Sequence, residues 1–131
     1  MQNATTAYTK TAQKTAAPRE LEAQLLLKAA AKIQMVIDGT TTDPDQIMEA
    51  LRYNRRLWTI LVASLTDATN PLPIEIRQNL VNLGIFQVSH TRAVEFEPDP
   101  GAMPILVNIN RRIAEGLRMQ AGDAAPAAQT A

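Results

Sequence analysis

The sequence predicts an all-α protein, a small bundle of about four main helices. Apolar residues make up 46% of the 131 residues but aromatic residues only 4%, so Leu, Ile, Val, Met and Ala must fill the core. Strands favour aromatic and β-branched residues, so this composition favours helices. Four segments also repeat apolar residues at steps of three and four, the period of a helix that packs along one face.

A single helical domain is expected over residues 18–119, because the chain is close to the commonest domain size. Residues 1–17 (MQNATTAYTKTAQKTAA) are small and polar, with only Tyr8 to bury, and predict a flexible N-terminal arm. Residues 120–131 (QAGDAAPAAQTA) have low complexity and predict a disordered C-terminal tail. The folded part of the chain is therefore expected between these two segments.

The first helix is predicted to run from Pro18 to the turn at Asp38-Gly39. Proline fits the first helical position, and Glu20 in the first turn complements the helix dipole. Apolar residues then recur at helical spacing, namely Leu21, Leu25, Leu26, Ile33, Val36 and Ile37. About twenty residues rising 1.5 Å each make a rod about 30 Å long, the span of a small domain.

The second helix is predicted to begin at Asp43-Pro44, where Asp43 can cap the helix and Gln46 can complete a capping box. Its seam alternates steps of four and three through Ile47, Leu51, Asn54, Trp58, Leu61 and Leu65. The pattern stops at DATNPLP (67–73), where two prolines disfavour helix in the residues before them. Asn54 is thus a polar residue on an otherwise apolar seam.

The third helix is predicted from about Pro73, and the sequence leaves open whether it bends or breaks at Gly84. The residues expected on its buried face, before and after the glycine, are Ile76, Leu80, Leu83, Ile85, Phe86, Val88 and Val94. The loop EPDPG (97–101) separates it from a fourth helix. That helix is marked by Ile105, Leu106, Ile109, Ile113 and Leu117.

Charge and composition exclude several classes of protein. Thirteen Lys and Arg balance thirteen Asp and Glu, whereas proteins that bind phosphate backbones usually carry a basic surplus. The chain has no cysteine, which excludes disulfides and thiolate metal sites and fits a reducing compartment. No apolar run reaches the roughly 18 residues of a membrane span, and the N-terminal residues lack the apolar centre of a secretory signal. We therefore expect a soluble cytoplasmic protein that does not bind membranes.

No catalytic, cofactor or metal site is expected. His90 is the only histidine and has no cysteine or second histidine at a metal-ligand spacing. Ser64 and Ser89 do not lie in a nucleophile-elbow motif, and the scattered glycines form no phosphate-binding loop. We therefore expect a protein that is not an enzyme, with no cofactor and no small-molecule substrate.

Two Asn-Arg-Arg segments, NRRLWTI (54–60) and NRRI (110–113), carry the candidate functional residues. A buried amide without partners costs about 1–3 kcal/mol, so Asn54 must be satisfied inside the protein or by a partner. Amides at the seams of two helices suggest a device that determines how the helices dock. The candidate core residues are Leu25, Leu51, Asn54, Trp58, Leu61, Ile109 and Ile113.

The arginines allow three interpretations: ordinary surface charge, contact with a partner protein, or contact with RNA. Arginine with tyrosine or tryptophan is typical of protein–protein hot spots. RNA binding would use Arg52, Arg55, Arg56, Arg111, Arg112 and Arg118, and requires the second and fourth helices to lie side by side. It also normally requires exposed aromatic rings, and Tyr53 is the only spare ring nearby.

Five blocks occur in order along the chain, namely PRELEAQLLLKAA (18–30), YNRRLW (53–58), NPLP (70–73), NLG (82–84) and INRRIAEGLR (109–118). Together they resemble the FlaF family of flagellar biosynthesis proteins. The resemblance covers residues 18–118 and implies a protein required for flagellin production and export. It implies either a secretion chaperone that binds flagellin in the cytoplasm, or a post-transcriptional regulator that acts on flagellin mRNA directly or through FlbT.

Taken with the residues, the resemblance predicts helix-in-groove binding of flagellin, whose terminal helices are amphipathic. The predicted partner-binding residues share a hot-spot chemistry and lie in the matching blocks. They are Tyr53, Arg55, Arg56, Asn110, Arg111 and Arg112. Trp58 is expected to be structural.

Overall fold

Four α-helices make up most of the part of the chain that the structure describes, and the all-α prediction is confirmed. The computed structural model describes the backbone of residues 2–129 and the side chains of residues 18–120. The helices are α1 (Gln2–Ile37), α2 (Pro44–Thr66), α3 (Ile74–Phe96) and α4 (Pro104–Gln129), with a single 3₁₀ turn at Pro100–Ala102. No strand occurs within residues 2–129.

The outer helices extend further along the chain than the sequence pattern indicated. Helix α1 begins at Gln2, so Pro18 lies inside the helix instead of at its first position. Proline removes one backbone hydrogen bond there, and the helix continues through it. The side chains of residues 1–17 and 121–131 lie outside the described residues, so the flexibility of the segments 1–17 and 120–131 stays a prediction.

The helices pack as an antiparallel bundle in which α1 contacts α4 and α2, and α2 contacts α3. One cluster of the core joins the C-terminal part of α1 to the N-terminal parts of α2 and α4, for example Ile33, Leu51 and Leu106. A second cluster joins earlier residues of α1 to later residues of α2 and α4, including Leu26 and Trp58. Helices α2 and α4 therefore run in the same direction and face each other diagonally across the core.

Alanines make up much of the buried face of α1. Ala23, Ala29 and Ala30 are at most 1% exposed, and small side chains allow the axes of packed helices to approach closely. Leu26, Ile33 and Val36 are buried as predicted. Leu21 shares their helical spacing but is 56% exposed. The helical period alone did not distinguish which of several neighbouring faces meets α4.

Helix α3 is continuous through Gly84, which resolves the bend or break that the sequence left open. A Cβ at Gly84 would overlap the Val62 side chain and lie 3.2 Å from Trp58 Cε3. The glycine therefore allows α2 and α3 to cross closely. The sequence could not show this, because the same residue, glycine, can either break a helix or allow a second helix to pack closely against it.

The buried face of α3 differs from the predicted one. Its buried residues are Gly84, Gln87, Thr91 and Val94, spaced three, four and three apart. Of the predicted apolar face only Val94 is buried, whereas Ile76, Ile85 and Phe86 are at least 37% exposed. The prediction was wrong because it assumed that apolar residues would face inward, and here a polar pair does so.

The turns follow the predicted positions with one exception. Gly39, with φ of 77°, takes the left-handed conformation after α1. Helix α2 begins at Pro44 as predicted, but the Asp43 side chain makes no capping bond, so the predicted capping box does not form. Asp99 accepts a bond from Gly101 N (3.0 Å) in the turn before α4.

Candidate functional site

A network of side-chain hydrogen bonds runs through the centre of the bundle. Trp58 Nε1 of α2 donates to Asn110 Oδ1 of α4 (2.8 Å), and Asn110 Nδ2 donates to Asn54 Oδ1 of α2 (2.8 Å). Asn54 Nδ2 in turn donates to two groups of α3, Gln87 Oε1 (2.9 Å) and Thr91 Oγ1 (3.0 Å). All five side chains are at most 1% exposed.

Two backbone carbonyls complete the network. Gln87 Nε2 donates to the Leu106 carbonyl of α4 (3.2 Å), and Asn110 Nδ2 also lies 3.4 Å from the Leu26 carbonyl of α1. The network therefore contacts all four helices. It holds α2 and α4 together across the diagonal, where their backbones do not pack directly.

The network can run in only one direction. The Trp58 indole can only donate, so Asn110 must present its oxygen to it and its nitrogen to Asn54. The same logic orients Asn54 and then Gln87, whose nitrogen meets a carbonyl that can only accept. Each amide is thus fixed by its neighbours, and reversing one would place two acceptors together elsewhere. The amides thus join α2, α3 and α4 through oriented hydrogen bonds, and that they determine how the helices dock stays a prediction.

Asn54 and Trp58 therefore lie in the core, where the sequence placed them. Leu51 is also fully buried, and Leu25, Leu61, Ile109 and Ile113 are partly buried and pack against the cluster around Trp58. The sequence reasoning missed Gln87 and Thr91. Their only signal is the helical spacing of Gly84, Gln87, Thr91 and Val94, which carries no apolar character to mark a buried face.

Asn110 is completely buried, which corrects its predicted position at the border of a binding surface. Its amide is occupied by Trp58, Asn54 and Leu26. The residues of the two Asn-Arg-Arg segments therefore lie in two different environments. Their asparagines pack in the core, and their arginines lie toward the surface.

The predicted residues of α2 are partly engaged within the protein. Arg55 forms an ion pair with Glu95 of α3, with 2.6 Å between Nε and Oε2. The hydrogen bond from Arg55 to Glu95 raises the pKa of the arginine, against the effect of partial burial. Tyr53 is half-buried and lies beneath two ammonium groups, with Lys28 Nζ 5.6 Å and Lys32 Nζ 4.9 Å from its ring centre. Arg56 is exposed.

The arginines of α4 point to different sides. Arg111 turns toward α1, where Nη2 lies 3.5 Å from Gln34 Oε1, and Arg118 pairs with Glu20 of α1 at 3.2 Å. Arg112 instead lies at an opening between α4 and α3. Because α2 and α4 are diagonal neighbours, the structure does not bring the arginines of the two segments into one stripe.

An open apolar groove lies between the N-terminal part of α3 and the middle of α4. Its volume is about 240 Å³, and it is lined by Leu72, Ile76, Leu80, Arg112, Ile113, Gly116, Leu117 and Gln120. Leu72 and Leu117 are buried at 7% and 6% exposure, whereas Ile76 is 39% exposed. The groove therefore has an apolar floor and one charged side chain among its walls.

The outer surface of α3 adds exposed apolar residues outside the groove. Ile74 and Ile85 are 56% and 58% exposed, and Phe96 is 91% exposed. Such side chains cost free energy in water when they form contiguous patches, and such patches mark interaction surfaces. At 3.6 residues per turn these three residues share a side of α3 roughly opposite to the groove residue Ile76, so they are a separate set of exposed apolar side chains.

His90 has a structural environment. Its Nε2 lies 2.8 Å from the Ala102 carbonyl, and its ring stacks on Phe86 with 5.1 Å between centroids. It thus connects α3 to the 3₁₀ turn before α4. Among the described residues no group of three or more His, Asp or Glu is placed to hold a metal ion. In the same part of the chain, no helix combines the length and apolar character needed to cross a bilayer.

The fold and the site define a helical bundle with an internal amide network and an open apolar groove. The family model described as flagellar protein FlaF matches residues 4–117, and the chain belongs to this family. The resemblance inferred from the five sequence blocks is therefore confirmed, and the protein is a flagellar one. No curated protein and no solved structure matches the chain.

Proposed function

We propose that this flagellar protein is a cytoplasmic chaperone that binds flagellin before export and that does so without catalysing a reaction. The observation that carries the proposal is the apolar groove between α3 and α4. An amphipathic helix binds such a groove by laying its apolar stripe along the floor. Flagellin that is bound in this way could not use the same stripe to associate with other subunits.

The size and lining of the groove suit protein side chains. Its volume of about 240 Å³ lies below the roughly 300–1,000 Å³ of pockets that enclose small molecules. The exposed Ile76 and the partly buried Leu80 and Ile113 line its walls. Apolar anchors of this kind contribute most of the binding free energy when a partner excludes water from them.

The placement of the arginines favours a protein partner over RNA. Arg55 and Arg118 already pair with carboxylates of the chain, and Arg111 turns toward α1. A single-strand binder combines a continuous basic track with exposed aromatic rings. Tyr53 is half-buried, and the formal net charge of the chain is zero. These observations support flagellin, and not its mRNA, as the direct partner.

The proposal is tested by titrating purified flagellin with the wild-type chain and with Ile76→Glu. A carboxylate in the groove should weaken binding at least about tenfold, because it would be desolvated against Leu72 and Leu117. Ile60→Glu is the matched control, since Ile60 is also exposed but lies on α2 outside the groove. Equal binding by the Ile76 variant would contradict the groove as the site.

Two further arms separate the alternatives. If Arg55→Glu with Arg111→Glu abolishes binding while Ile76→Glu does not, the predicted arginine surface and not the groove is the site. Flagellin leader RNA is titrated at two salt concentrations, because phosphate contacts must weaken steeply with salt. Salt-dependent binding of the RNA, without binding of flagellin, would refute the chaperone proposal.

A further inference from the structure

Gly116 lies within α4 at a position where residues 18–120 provide no reason for glycine. Glycine is the least favourable helical residue apart from proline, and α4 continues on both sides of this position. Only Gly39 has positive φ among the described glycines, so the backbone at Gly116 does not require glycine. A Cβ at Gly116 would meet no atom of the described side chains within 4 Å. Gly84 is different, because Trp58 and Val62 occupy the space beside it.

Gly116 is also part of the groove wall, next to Ile113 and Leu117. The missing side chain leaves the α4 backbone accessible at this point and widens the groove. Helix axes lie 8–10 Å apart according to the side chains between them, so a glycine permits the closest approach of a second helix. A backbone that approaches closely is one of the ordinary reasons for glycine inside a regular element.

Arg112 supplies the second feature of the groove. It is the only charged residue in the lining and is exposed, and no ion-pair partner for it occurs among residues 18–120. A guanidinium group binds a carboxylate through two parallel hydrogen bonds. The charge complementary to this groove is therefore negative.

We propose that the occupant of the groove is an amphipathic helix of the partner that crosses α4 at Gly116. The crossing helix carries a small residue at the contact, aliphatic residues on either side and a carboxylate that reaches Arg112. This inference rests on the proposed function, since it specifies which kind of flagellin segment binds. The same surface would otherwise be free to bind a second copy of this chain, and the test separates the two.

The experiment measures flagellin affinity and thermal stability for Gly116→Ala and Gly116→Leu. Gly116→Ala should raise Tm by about 2–5 °C, because alanine favours the helix and meets no clash. The same variant should weaken flagellin binding, and Gly116→Leu should weaken it at least about tenfold. Ala93→Leu is the matched control, because Ala93 is an exposed residue of α3 outside the groove.

Arg112 is tested by comparing Arg112→Gln with Arg112→Glu. Loss of the ion pair weakens binding in the first, and repulsion between carboxylates weakens it further in the second. Tighter binding by Arg112→Glu would overturn the acidic character of the partner helix. Unchanged binding by Gly116→Leu would overturn the crossing at Gly116 and leave the chaperone proposal standing.

Two further results would decide whether flagellin binds this chain at all and whether a second copy of the chain fills the groove. If the wild-type chain does not bind flagellin at all, the proposed function fails and the crossing fails with it. Sedimentation of the wild type and of Gly116→Leu shows whether a second copy fills the groove. A wild-type dimer that becomes a monomer in the variant would replace the partner helix with a self-interface. A monomer in both cases supports the inference.

Discussion

Replacing Asn54 with leucine removes the residue through which the amide network branches. Asn54 accepts a bond from Asn110 and donates to Gln87 and Thr91. Leucine is branched at Cγ like asparagine but is larger, so the substitution removes hydrogen bonds and also overpacks the site. The free energy of unfolding of the variant reports both effects, and a double-mutant cycle separates them.

The magnitude follows from the groups left without partners. The Thr91 hydroxyl can rotate to another acceptor, but Gln87 Oε1 and one N–H of Asn110 remain buried and unsatisfied, at about 1–3 kcal/mol each. The total of about 2–6 kcal/mol is offset by about 1.5–3 kcal/mol from burying leucine. Overpacking by the larger leucine adds about 1–3 kcal/mol, so we expect the free energy of unfolding to fall by about 1.5–6 kcal/mol, a large part of the roughly 5–15 kcal/mol of an ordinary domain.

Urea unfolding measures this change, with Trp58 fluorescence and far-UV circular dichroism as two probes. Trp58 is the only tryptophan and is 1% exposed, so its emission reports exposure of the core. Coincident transitions justify the linear extrapolation to water. Asn108→Leu is the control, because Asn108 is an exposed asparagine on α4 and should change stability by less than about 0.5 kcal/mol.

A double-mutant cycle with Gln87→Leu decides whether the network is the cause. Removing both amides also removes the unsatisfied oxygen, and the Leu106 carbonyl that loses Gln87 lies within a helix. The double variant should therefore be about 1–3 kcal/mol more stable than the sum of the single effects predicts. Additive effects, or a neutral Asn54→Leu variant, would refute the assignment of an oriented network.

Two further substitutions test the packing around Trp58. Trp58→Ala should lower the free energy of unfolding by about 3–5 kcal/mol, because the indole fills the core; a stable variant that fails to bind flagellin would instead place Trp58 in the interface. Gly84→Ala should destabilise the protein by about 1–3 kcal/mol through overpacking against Val62 and Trp58, as measured by urea unfolding followed by circular dichroism. An unchanged midpoint would show that α2 and α3 separate at little cost.

The four helices could be predicted from the sequence, as could both ends of α2 and α3, whereas α1 and α4 extend beyond their predicted outer ends. The seam of α2 from Leu51 through Trp58 to Leu65 is buried as its spacing indicated. This seam could be predicted because apolar residues at a helical period lie on one face of the helix, and that face must be buried against whatever packs on it. The five blocks between residues 18 and 118 also predicted the family, since they depend on residue order and not on packing.

Helix α3 shows where the sequence pattern stopped being informative. Gln87 and Thr91 are buried because Asn54 offers hydrogen bonds to them, whereas Ile85 and Phe86 remain exposed. Which face of a helix is buried depends on what its neighbour presents. For α3 the buried face depends on Asn54 of α2, which lies 33 positions before its hydrogen-bond partner Gln87.

For the candidate site too, some features could be predicted from the sequence and others depended on the tertiary structure. The sequence by itself determined that the chain is helical, that Asn54 and Trp58 share a seam, and that arginines flank both asparagines. Only the tertiary structure decided that Asn110 is internal, that Arg55 is paired with Glu95 and that Arg112 borders a groove. The physical reason is that helix formation follows from neighbouring residues, whereas burial, pairing and grooves depend on how distant helices are placed together.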